Sequence, residues 1–306
     1  MTLLQQRLRA LDATLGLQDH QGFIDTPLEG VRFFRATQPV PLSPLLYETG
    51  IIIVGQGYKV AHLDGRSFRY DAEQYLIVSV PLPMDCETHA SEDQPLLGIF
   101  LDIDVVKVRE IIAAVQGRGG ISPEPSRSLQ RGVEPASLDG AMLEATARLL
   151  HCLRNPTDVR VLGPAMVTEI LYRALLGPHG PTLYALTEQR TPYARIARAL
   201  SFAHQRYSEP ISVDALARQA AMSPSAFHRS FKRVTGASPL QYVKAVRLHK
   251  ARGLLVGGGM TVSDAAFQVG YGSPAQFSRE FKRFFGATPS EARHTGYAEL
   301  EGPPKT

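Results

Sequence analysis

A repeat in the last third of the chain restricts its fold more than any other feature of the sequence. Many residues recur 50 positions later, whereas upstream of the turn in each copy the offset is 49, as it is for Val213 and Val262. The second copy therefore carries one extra residue near Gly270. The pairs at the offset of 50 include Phe227/Phe277, Phe231/Phe281, Lys232/Lys282, Arg233/Arg283, Gly236/Gly286 and Pro239/Pro289. Two copies are too few for a stacked solenoid, so the repeat predicts one small helical unit used twice.

Each copy is predicted to fold as a short helix, a turn and a second helix. Ser212 can cap a first helix from Val213 to about Gln219. The second helices begin at Ser223-Pro224 and Ser273-Pro274, where a capping serine precedes a proline that fits the first helical position. The glycine that closes each copy stands where a helix ends. An insertion confined to the turn is one that a helix-turn-helix unit tolerates.

The apolar spacing predicts which side of each second helix is buried. Phe227, Phe231 and Val234 are spaced i, i+4 and i+7, the pattern of a core-facing stripe. The second copy repeats the stripe with Phe277, Phe281 and Phe284. A helix from Ala194 to about Tyr207 is predicted to open the domain, and Leu240 to Leu255 is predicted to form a linker helix between the copies.

The charge of the chain is divided unequally between its two parts. Residues 1–189 contain 16 Lys and Arg against 22 Asp and Glu, whereas residues 190–306 contain 17 against 7. The first part therefore has a net charge of −6 and the second +10. A basic segment of domain length indicates a polyanionic partner, most commonly nucleic acid, although a solvated basic surface would have the same charge.

Residues 193–293 resemble the DNA-binding domain of the AraC/XylS family of bacterial transcription regulators, in which a long helix joins two helix-turn-helix units. The similarity lies in Ser223–Gly236, Ala251–Leu255 and Ala266–Pro289. Ala265 departs from the pattern, because the family usually has a bulkier aliphatic residue there. The resemblance implies double-stranded DNA as a partner, with RNA polymerase as a further candidate partner.

The resemblance also implies which residues contact DNA. Carried over by position, the base-reading residues are Ser225, His228, Arg229, Ala275, Ser278 and Arg279. The arginines can bind guanine O6 and N7 bidentately in the major groove. Phosphate contacts are expected at Lys232, Arg233, Lys244, Arg247, Lys282 and Arg283. Such contacts position a protein on DNA without reading its sequence.

The acidic N-terminal part is predicted to be rich in strands between residues 45 and 104. Asp64-Gly65 is a hairpin turn signal between two alternating segments. The predicted strands are Gly50–Val54, Tyr58–Leu63, Arg66–Tyr70, Gln74–Val80 and Leu96–Asp102. Helices are predicted over Val105–Val115, Leu138–Leu153 and Val161–Leu176, followed from Gly177 by a linker. Several short strands joined by turns predict a small barrel or sandwich.

Segments of this part, among them Gly55–Lys59 and Gln74–Ser79, resemble the cupin-like N-terminal domain of one branch of the same regulators. The resemblance implies a small-molecule effector and a homodimer. Tyr58, Tyr70 and Tyr75 lie on predicted strands and are the candidate effector-pocket residues. We expect Ile170, Leu171 and Leu175 to take part in the dimer contact.

Several kinds of site are excluded or disfavoured by residue usage. His62 and His89 stand on separate strands without the His-x-His and Glu pattern of metal-binding cupins, so we expect no metal and no cofactor. Cys86 and Cys152 are the only cysteines, too few for a disulfide-rich scaffold or a four-cysteine zinc site, and a redox role for them stays open. The sequence contains no apolar run of about 18 residues, so we expect no membrane partner and a cytoplasmic protein.

The expected fold class is α+β. A cupin-like β-barrel with flanking helices is expected in residues 1–188, an all-α domain of two helix-turn-helix units joined by a linker helix in residues 189–296, and a tail in residues 297–306. The expected function is sequence-specific transcription regulation by an activator that is not an enzyme and is controlled by a small molecule in the barrel. The alternatives are a cupin-type enzyme fused to a DNA-binding module, a regulator whose N-terminal domain only dimerises, and an architectural DNA protein.

Overall fold

The computed structural model describes residues 1–116, 131–188, 191–258 and 260–295. Its strands are β1 Gly22–Asp25, β2 Val31–Ala36, β3 Val40–Tyr47, β4 Gly50–Gln56, β5 Tyr58–Leu63, β6 Arg66–Tyr70, β7 Gln74–Val78, β8 Leu82–His89, β9 Leu96–Asp102 and β10 Val133–Ser137. Its helices in the N-terminal part are α1 Leu3–Leu15, α2 Val105–Gln116, α3 Gly140–Cys152, α4 Pro156–Leu176 and α5 Gly180–Thr187. The proposed tail and residues 189, 190 and 296 at the proposed domain ends lie outside the described residues.

The strands form two antiparallel sheets that face each other. The larger sheet has the order β1-β2-β9-β4-β7-β10 and the smaller one the order β3-β8-β5-β6. Phe34 and Ile52 from the larger sheet and Tyr47 and Tyr70 from the smaller one line the same interior. The predicted strand-rich N-terminal part is therefore confirmed, as is the α+β class.

Strand β4, a run of β-branched residues, contributes side chains to two separate hydrophobic cores. Side chains of a strand alternate between its two faces. Ile52 and Val54 therefore point into the space between the sheets, while Ile51 and Ile53 pack against the helices that cover the other face of the larger sheet. Gly55 lies under α1, where a Cβ would overlap Leu8.

The C-terminal helices reproduce the predicted repeat. They are α6 Pro192–Gln205, α7 Val213–Gln219, α8 Pro224–Thr235, α9 Pro239–Gly258, α10 Val262–Gln268, α11 Pro274–Phe285 and α12 Pro289–Thr295. Ser223 and Ser273 cap α8 and α11 as predicted, each accepting a hydrogen bond from the amide three residues later. Both helices end at a glycine in the left-handed conformation, Gly236 with φ +73° and Gly286 with φ +77°. Such a conformation favours glycine, which has no Cβ.

The first helix-turn-helix unit shares a hydrophobic core with the barrel. Phe231 of α8 and Tyr242 of the linker helix α9 belong to the same buried cluster as Val80 and Leu82 of the barrel. The second unit packs around a separate cluster that contains Phe277. Among the described residues, three hydrogen bonds join the N-terminal part to the helices of this region. Tyr242 Oη of α9 donates to the Pro81 carbonyl (2.7 Å), the Gly132 amide donates to the Val234 carbonyl of α8 (3.0 Å), and Ser79 makes a short contact with Tyr193 of α6.

The structure differs from prediction where local patterns are weak. The segment expected to be a linker after Gly177 contains α5, because Pro181 stands in the first turn of that helix, where a missing amide N–H has no cost. Strand β3 is not among the predicted strands. It contains Pro41 and Pro44, and it is an edge strand, the position in a sheet that tolerates proline.

Candidate nucleic-acid interface and barrel cavity

Helix α8 presents one polar face to solvent. Ser225, His228 and Arg229 are exposed, and Phe227 and Phe231 are fully buried on the opposite side. The alternation follows from the helical period, since residues three and four apart share a face. The three residues proposed to read bases therefore lie together on a solvent-facing surface.

Helix α11 presents a similar solvent-facing surface with fewer long polar side chains. Ala275 and Arg279 are exposed, and Ser278 is half-buried. The Ser278 hydroxyl donates to the Pro274 carbonyl of its own helix at 2.9 Å. Arg279 therefore supplies the long polar side chain on this face, whereas the first unit has both His228 and Arg229.

The six residues expected to contact phosphate divide into two groups. Lys232, Arg233, Lys282 and Arg283 are exposed in the last turns of α8 and α11. Lys244 and Arg247, on the linker helix α9, are half-buried and have partners within the protein. The Lys244 ammonium lies 3.2 Å from a Glu280 carboxylate oxygen, and the Arg247 guanidinium donates to the carbonyls of Tyr207 (2.6 Å) and Glu209 (2.7 Å).

Sequence reasoning did not single out Glu280. Its carboxylate accepts hydrogen bonds from Tyr271 Oη at 3.0 Å and Gln276 Nε2 at 3.3 Å, in addition to the Lys244 contact. Burial opposes ionisation of Glu280, but these hydrogen bonds and the Lys244 charge outweigh it and lower the pKa of the carboxyl. The sequence feature that could have identified Glu280 is an acidic residue within a basic recognition helix, at the position where the first copy has Ser230.

The interior of the barrel contains a small cavity of about 20 Å³. Its walls are Phe23, Phe34, Leu46, Tyr47, Ile52, Tyr70 and Phe100, with Arg32, Glu48 and Lys59 as the charged members. The volume is that of about one water molecule. A larger guest therefore requires the wall side chains to move.

Two cations are buried at this cavity. Lys59 is 4% exposed, and its ammonium lies 5.8 Å from the centre of the Tyr47 ring. The Arg32 guanidinium lies 4.4 Å from the centre of the Phe100 ring and 2.7 Å from a Glu48 carboxylate oxygen. Sequence reasoning missed both, since Arg32 lies on β2, which is not among the predicted strands, and Lys59 is a single lysine within the alternating strand β5.

The structure does not bring the three candidate pocket tyrosines together. Tyr70 lines the cavity and shares a hydrogen bond of 2.6 Å with Tyr47. Tyr58 stacks on His89 outside the cavity, with ring centres 4.3 Å apart. Tyr75 packs into the core on the other face of the larger sheet, where burial raises its pKa to about 12.

The histidines and cysteines considered as metal ligands or redox groups do not form one cluster. His62 and His89 both contact Glu87, at 2.9 and 3.3 Å, on the smaller sheet. Within the described ranges, no three His, Cys, Asp or Glu side chains are grouped so that they could hold a metal ion. Cys86 and Cys152 are free thiols buried in different cores.

Two family descriptions match the chain. The N-terminus of AraC-type transcriptional regulators matches residues 27–182, and a helix-turn-helix domain matches residues 216–295. The first match alone spans more than half of the chain. The chain belongs to the AraC-type transcriptional regulators. The predicted family is thus confirmed over both parts of the molecule.

Curated relatives within this AraC-type group include the transcriptional activator RhaS. RhaS of Klebsiella pneumoniae is 35% identical over 79 residues, which are 26% of this chain and 28% of that protein. RhaS of Escherichia fergusonii is 29% identical over 164 residues, which are 54% of this chain and 59% of that protein. These matches cover less than two thirds of either relative.

A solved AraC-type neighbour shares the fold over most of the chain. ToxT of Vibrio cholerae, in a structure described as bound to an unsaturated fatty acid, has a TM-score of 0.61 and covers 88% of this chain and 96% of its own. The identity is 12%, so the likeness concerns the fold alone. In the part of the chain that the structure describes, no helix has the length and apolar character needed to span a bilayer.

Proposed function

We propose that this AraC-type regulator binds specific DNA sequences with α8 and α11, within a DNA-binding domain of residues 189–296 that follows a sensing and dimerisation domain of residues 1–188. The observation that carries the proposal is the pair of matching solvent-exposed basic faces on two capped helices joined by α9. Ser225, His228 and Arg229 would read bases in one major-groove segment, and Ala275, Ser278 and Arg279 in the next. Lys232, Arg233, Lys282 and Arg283 would contact phosphate.

Selection of binding sites from random DNA with the full chain tests this proposal. The expected result is a bipartite motif with two conserved segments about one helical turn apart. Binding to that motif should weaken steeply with salt as counterions are released. Recovery of sequences with no shared motif would leave only non-specific binding and would overturn the proposal.

The proposed output of DNA binding is activation of transcription. The RhaS relatives carry the name transcriptional activator, and RNA polymerase is the proposed partner for this step. Because DNA is the proposed target, the cytoplasm of a bacterial cell is the proposed place of action.

The barrel cavity supports an effector with an apolar body and an acidic group. Its lining is mostly aromatic and aliphatic, and the buried Lys59 ammonium would meet an anion beside Arg32, which is paired with Glu48. A cation withdrawn from water is stabilised by an opposite charge at close range. ToxT, which shares the fold, has a structure described with an unsaturated fatty acid bound.

Thermal unfolding of the full chain with fatty acids of different length tests the effector proposal, with the corresponding alcohols as uncharged controls. An acid present at a hundredfold excess over its Kd should stabilise the fold by about 2.7 kcal/mol. Lys59→Met should abolish the ligand-induced shift, whereas Arg109→Met, which removes an exposed cation from α2, should retain it. Equal shifts with acids and alcohols would contradict recognition of the anion.

The small size of the cavity favours a second candidate role for the N-terminal domain, that of a dimerisation module only. At about 20 Å³ the interior is nearly filled. If no compound raises the melting temperature or changes DNA affinity, this role replaces effector sensing.

The surface proposed for the dimer lies on α4. The residues first expected there, Ile170, Leu171 and Leu175, are instead buried in the core of the N-terminal part, between 0% and 6% exposed. An exposed stripe runs along another side of the same helix at intervals of 4, 7 and 4 residues: Val161, Ala165, Tyr172 and Leu176. At about 100° per residue these four positions lie on one side of the helix.

A further inference from the structure

The loop between α6 and α7 lies against both helix-turn-helix units. The Arg247 guanidinium of α9 donates to the backbone carbonyls of Tyr207 and Glu209 in this loop, at 2.6 and 2.7 Å. Tyr207 itself packs against both the core of the first unit and the core of the second. One side chain and two carbonyls therefore hold the loop against the middle of the linker helix.

The turn of the second unit packs on the same loop from the other side. Gly270, with φ +87°, lies so close to Ser208 that a Cβ at this position would overlap the Ser208 carbonyl. Gly270 belongs to the turn that carries the extra residue of the second copy. The second unit thus contacts the loop through the same turn that carries the insertion.

A polar cluster next to this contact ties the second recognition helix to the linker helix. Glu280 of α11 accepts from Tyr271, which follows Gly270, and pairs with Lys244 one turn before Arg247. The Glu280 side chain is 15% exposed. In the first copy the place of Glu280 is taken by Ser230 and that of Tyr271 by Met222, so the cluster is particular to the second unit.

We propose that Arg247, Lys244, Tyr271 and Glu280 form a brace that sets the position of α11 relative to α8, and that the brace makes the protein selective for the spacing between its two DNA half-sites. The inference rests on the proposed DNA-binding function. In this role the four residues position the two reading helices and do not themselves read bases. Lys244 and Arg247, first expected at phosphates, act through their partners within the protein.

The geometry of DNA explains why a brace of this kind produces spacing selectivity. B-DNA completes a turn in about 34–36 Å and 10–10.5 base pairs, so one added base pair moves a half-site by about 3.4 Å and rotates it by about 34°. Two rigidly joined readers cannot follow this displacement without breaking contacts. Readers that move freely relative to each other can follow it with a smaller loss.

The test measures the affinity of the full chain for its selected bipartite site, and for the same site with one base pair added to or removed from the spacer. The variants are Tyr271→Phe, Glu280→Gln and Arg247→Met. Glu209→Gln is the matched control, because it removes the same charge as Glu280→Gln from an exposed side chain and keeps the backbone carbonyl that Arg247 uses. Far-UV circular dichroism and thermal unfolding establish that each variant is folded.

The brace predicts that Arg247→Met reduces the preference for the native spacing by about tenfold, which corresponds to about 1.4 kcal/mol. Tyr271→Phe and Glu280→Gln should reduce it in the same direction while affinity for an isolated first half-site stays unchanged. Glu209→Gln should keep the wild-type preference. If Arg247→Met unfolds the protein, Tyr271→Phe, which removes only a hydroxyl, decides the matter.

Two results would overturn the brace while leaving the DNA-binding function intact. One is a wild-type spacing preference that all three variants retain. The other is an equal loss at every spacing for Arg247→Met, with the salt dependence of log K reduced by about 0.9, which is the signature of one lost phosphate contact. A wild-type chain without any sequence-specific binding would instead overturn the proposed function, and the brace with it.

Discussion

At the scale of single residues, Arg229 and Lys232 represent two uses of positive charge on one helix. Both are exposed on α8, Arg229 in its middle and Lys232 in its last turn. Arg229→Ala should lower affinity at one base position by about 1–3 kcal/mol, because a bidentate contact to guanine is lost. Competition binding against single-base variants of the selected site measures this effect.

Lys232→Ala provides the contrast. It should weaken binding to specific and random DNA alike and reduce the salt dependence of log K by about 0.9, the value for one phosphate contact. If Arg229→Ala behaved in the same way, Arg229 would belong to the phosphate contacts and not to the base readers.

His179 should make the folded state more stable at low pH than at high pH. Burial opposes its charged form, but hydrogen bonds to Glu134 and to the Pro135 carbonyl, together with the Glu134 charge, outweigh burial and raise the pKa of the imidazole above 6.5. The charged ring thus stabilises the fold below about pH 6.5, and this contribution is lost as the pH rises through the folded-state pKa. Each unit of pKa difference corresponds to about 1.4 kcal/mol.

His179→Gln should therefore cost more stability at pH 6 than at pH 9, as measured by urea unfolding at both values. Glu134→Gln should show the same trend, since it removes the carboxylate that favours the charged ring. A constant difference from the wild type across this range would show that His179 is not protonated preferentially in the folded state.

At the scale of elements, α4 carries the surface proposed for the dimer. Val161 is 70% exposed and Tyr172 is 37% exposed, on a helix that is apolar on most of its sides. Val161→Glu should convert a dimer to a monomer without loss of fold, because the side chain makes little contact within the chain. Sedimentation equilibrium measures the change in mass.

Thr157→Glu is the matched control for this prediction, since it places the same charge at an exposed position of the same helix, one that is polar already. It should leave the dimer unchanged. A wild-type chain that is monomeric at micromolar concentration would remove α4 as the dimer surface.

At the scale of the whole molecule, the barrel and the first helix-turn-helix unit behave as one packed body. Tyr242 is fully buried at their boundary, where its hydroxyl donates to the Pro81 carbonyl and lies 2.7 Å from His204 Nε2. Burial lowers the pKa of His204 to about 3, helped by the charge of Lys250, so the ring is neutral at physiological pH and can donate to the tyrosine oxygen.

Tyr242→Phe should lower the free energy of unfolding by about 1–3 kcal/mol, because it leaves a half-buried carbonyl and a half-buried imidazole without the hydroxyl that both contact. Chemical unfolding followed by separate probes in the barrel and in the first unit measures the effect. In the wild type both probes should report one transition. Two separate wild-type transitions would contradict a shared core.

Much of the DNA-binding surface could be predicted from sequence because its determinants are local. The capping serines, the glycines that end the helices and the phenylalanine stripe act within a few residues of one another, so α7, α8 and α11 lie where the pattern placed them. The cavity was predicted less well. Tyr58 and Tyr75 lie on strands as expected, but which face of a strand looks into the barrel depends on how the two sheets pair.

The sequence by itself determined the two-part organisation, the repeated helical unit and the separation of charge, since these depend on spacing and composition along the chain. Only the tertiary structure decided that Lys244 and Arg247 turn toward protein partners, that Arg32 and Lys59 meet at one cavity, and that the first unit shares a core with the barrel. Each of these contacts joins residues of different elements that are at least 27 positions apart in the chain. No periodicity along the chain encodes such contacts, because they arise from the packing of elements against one another.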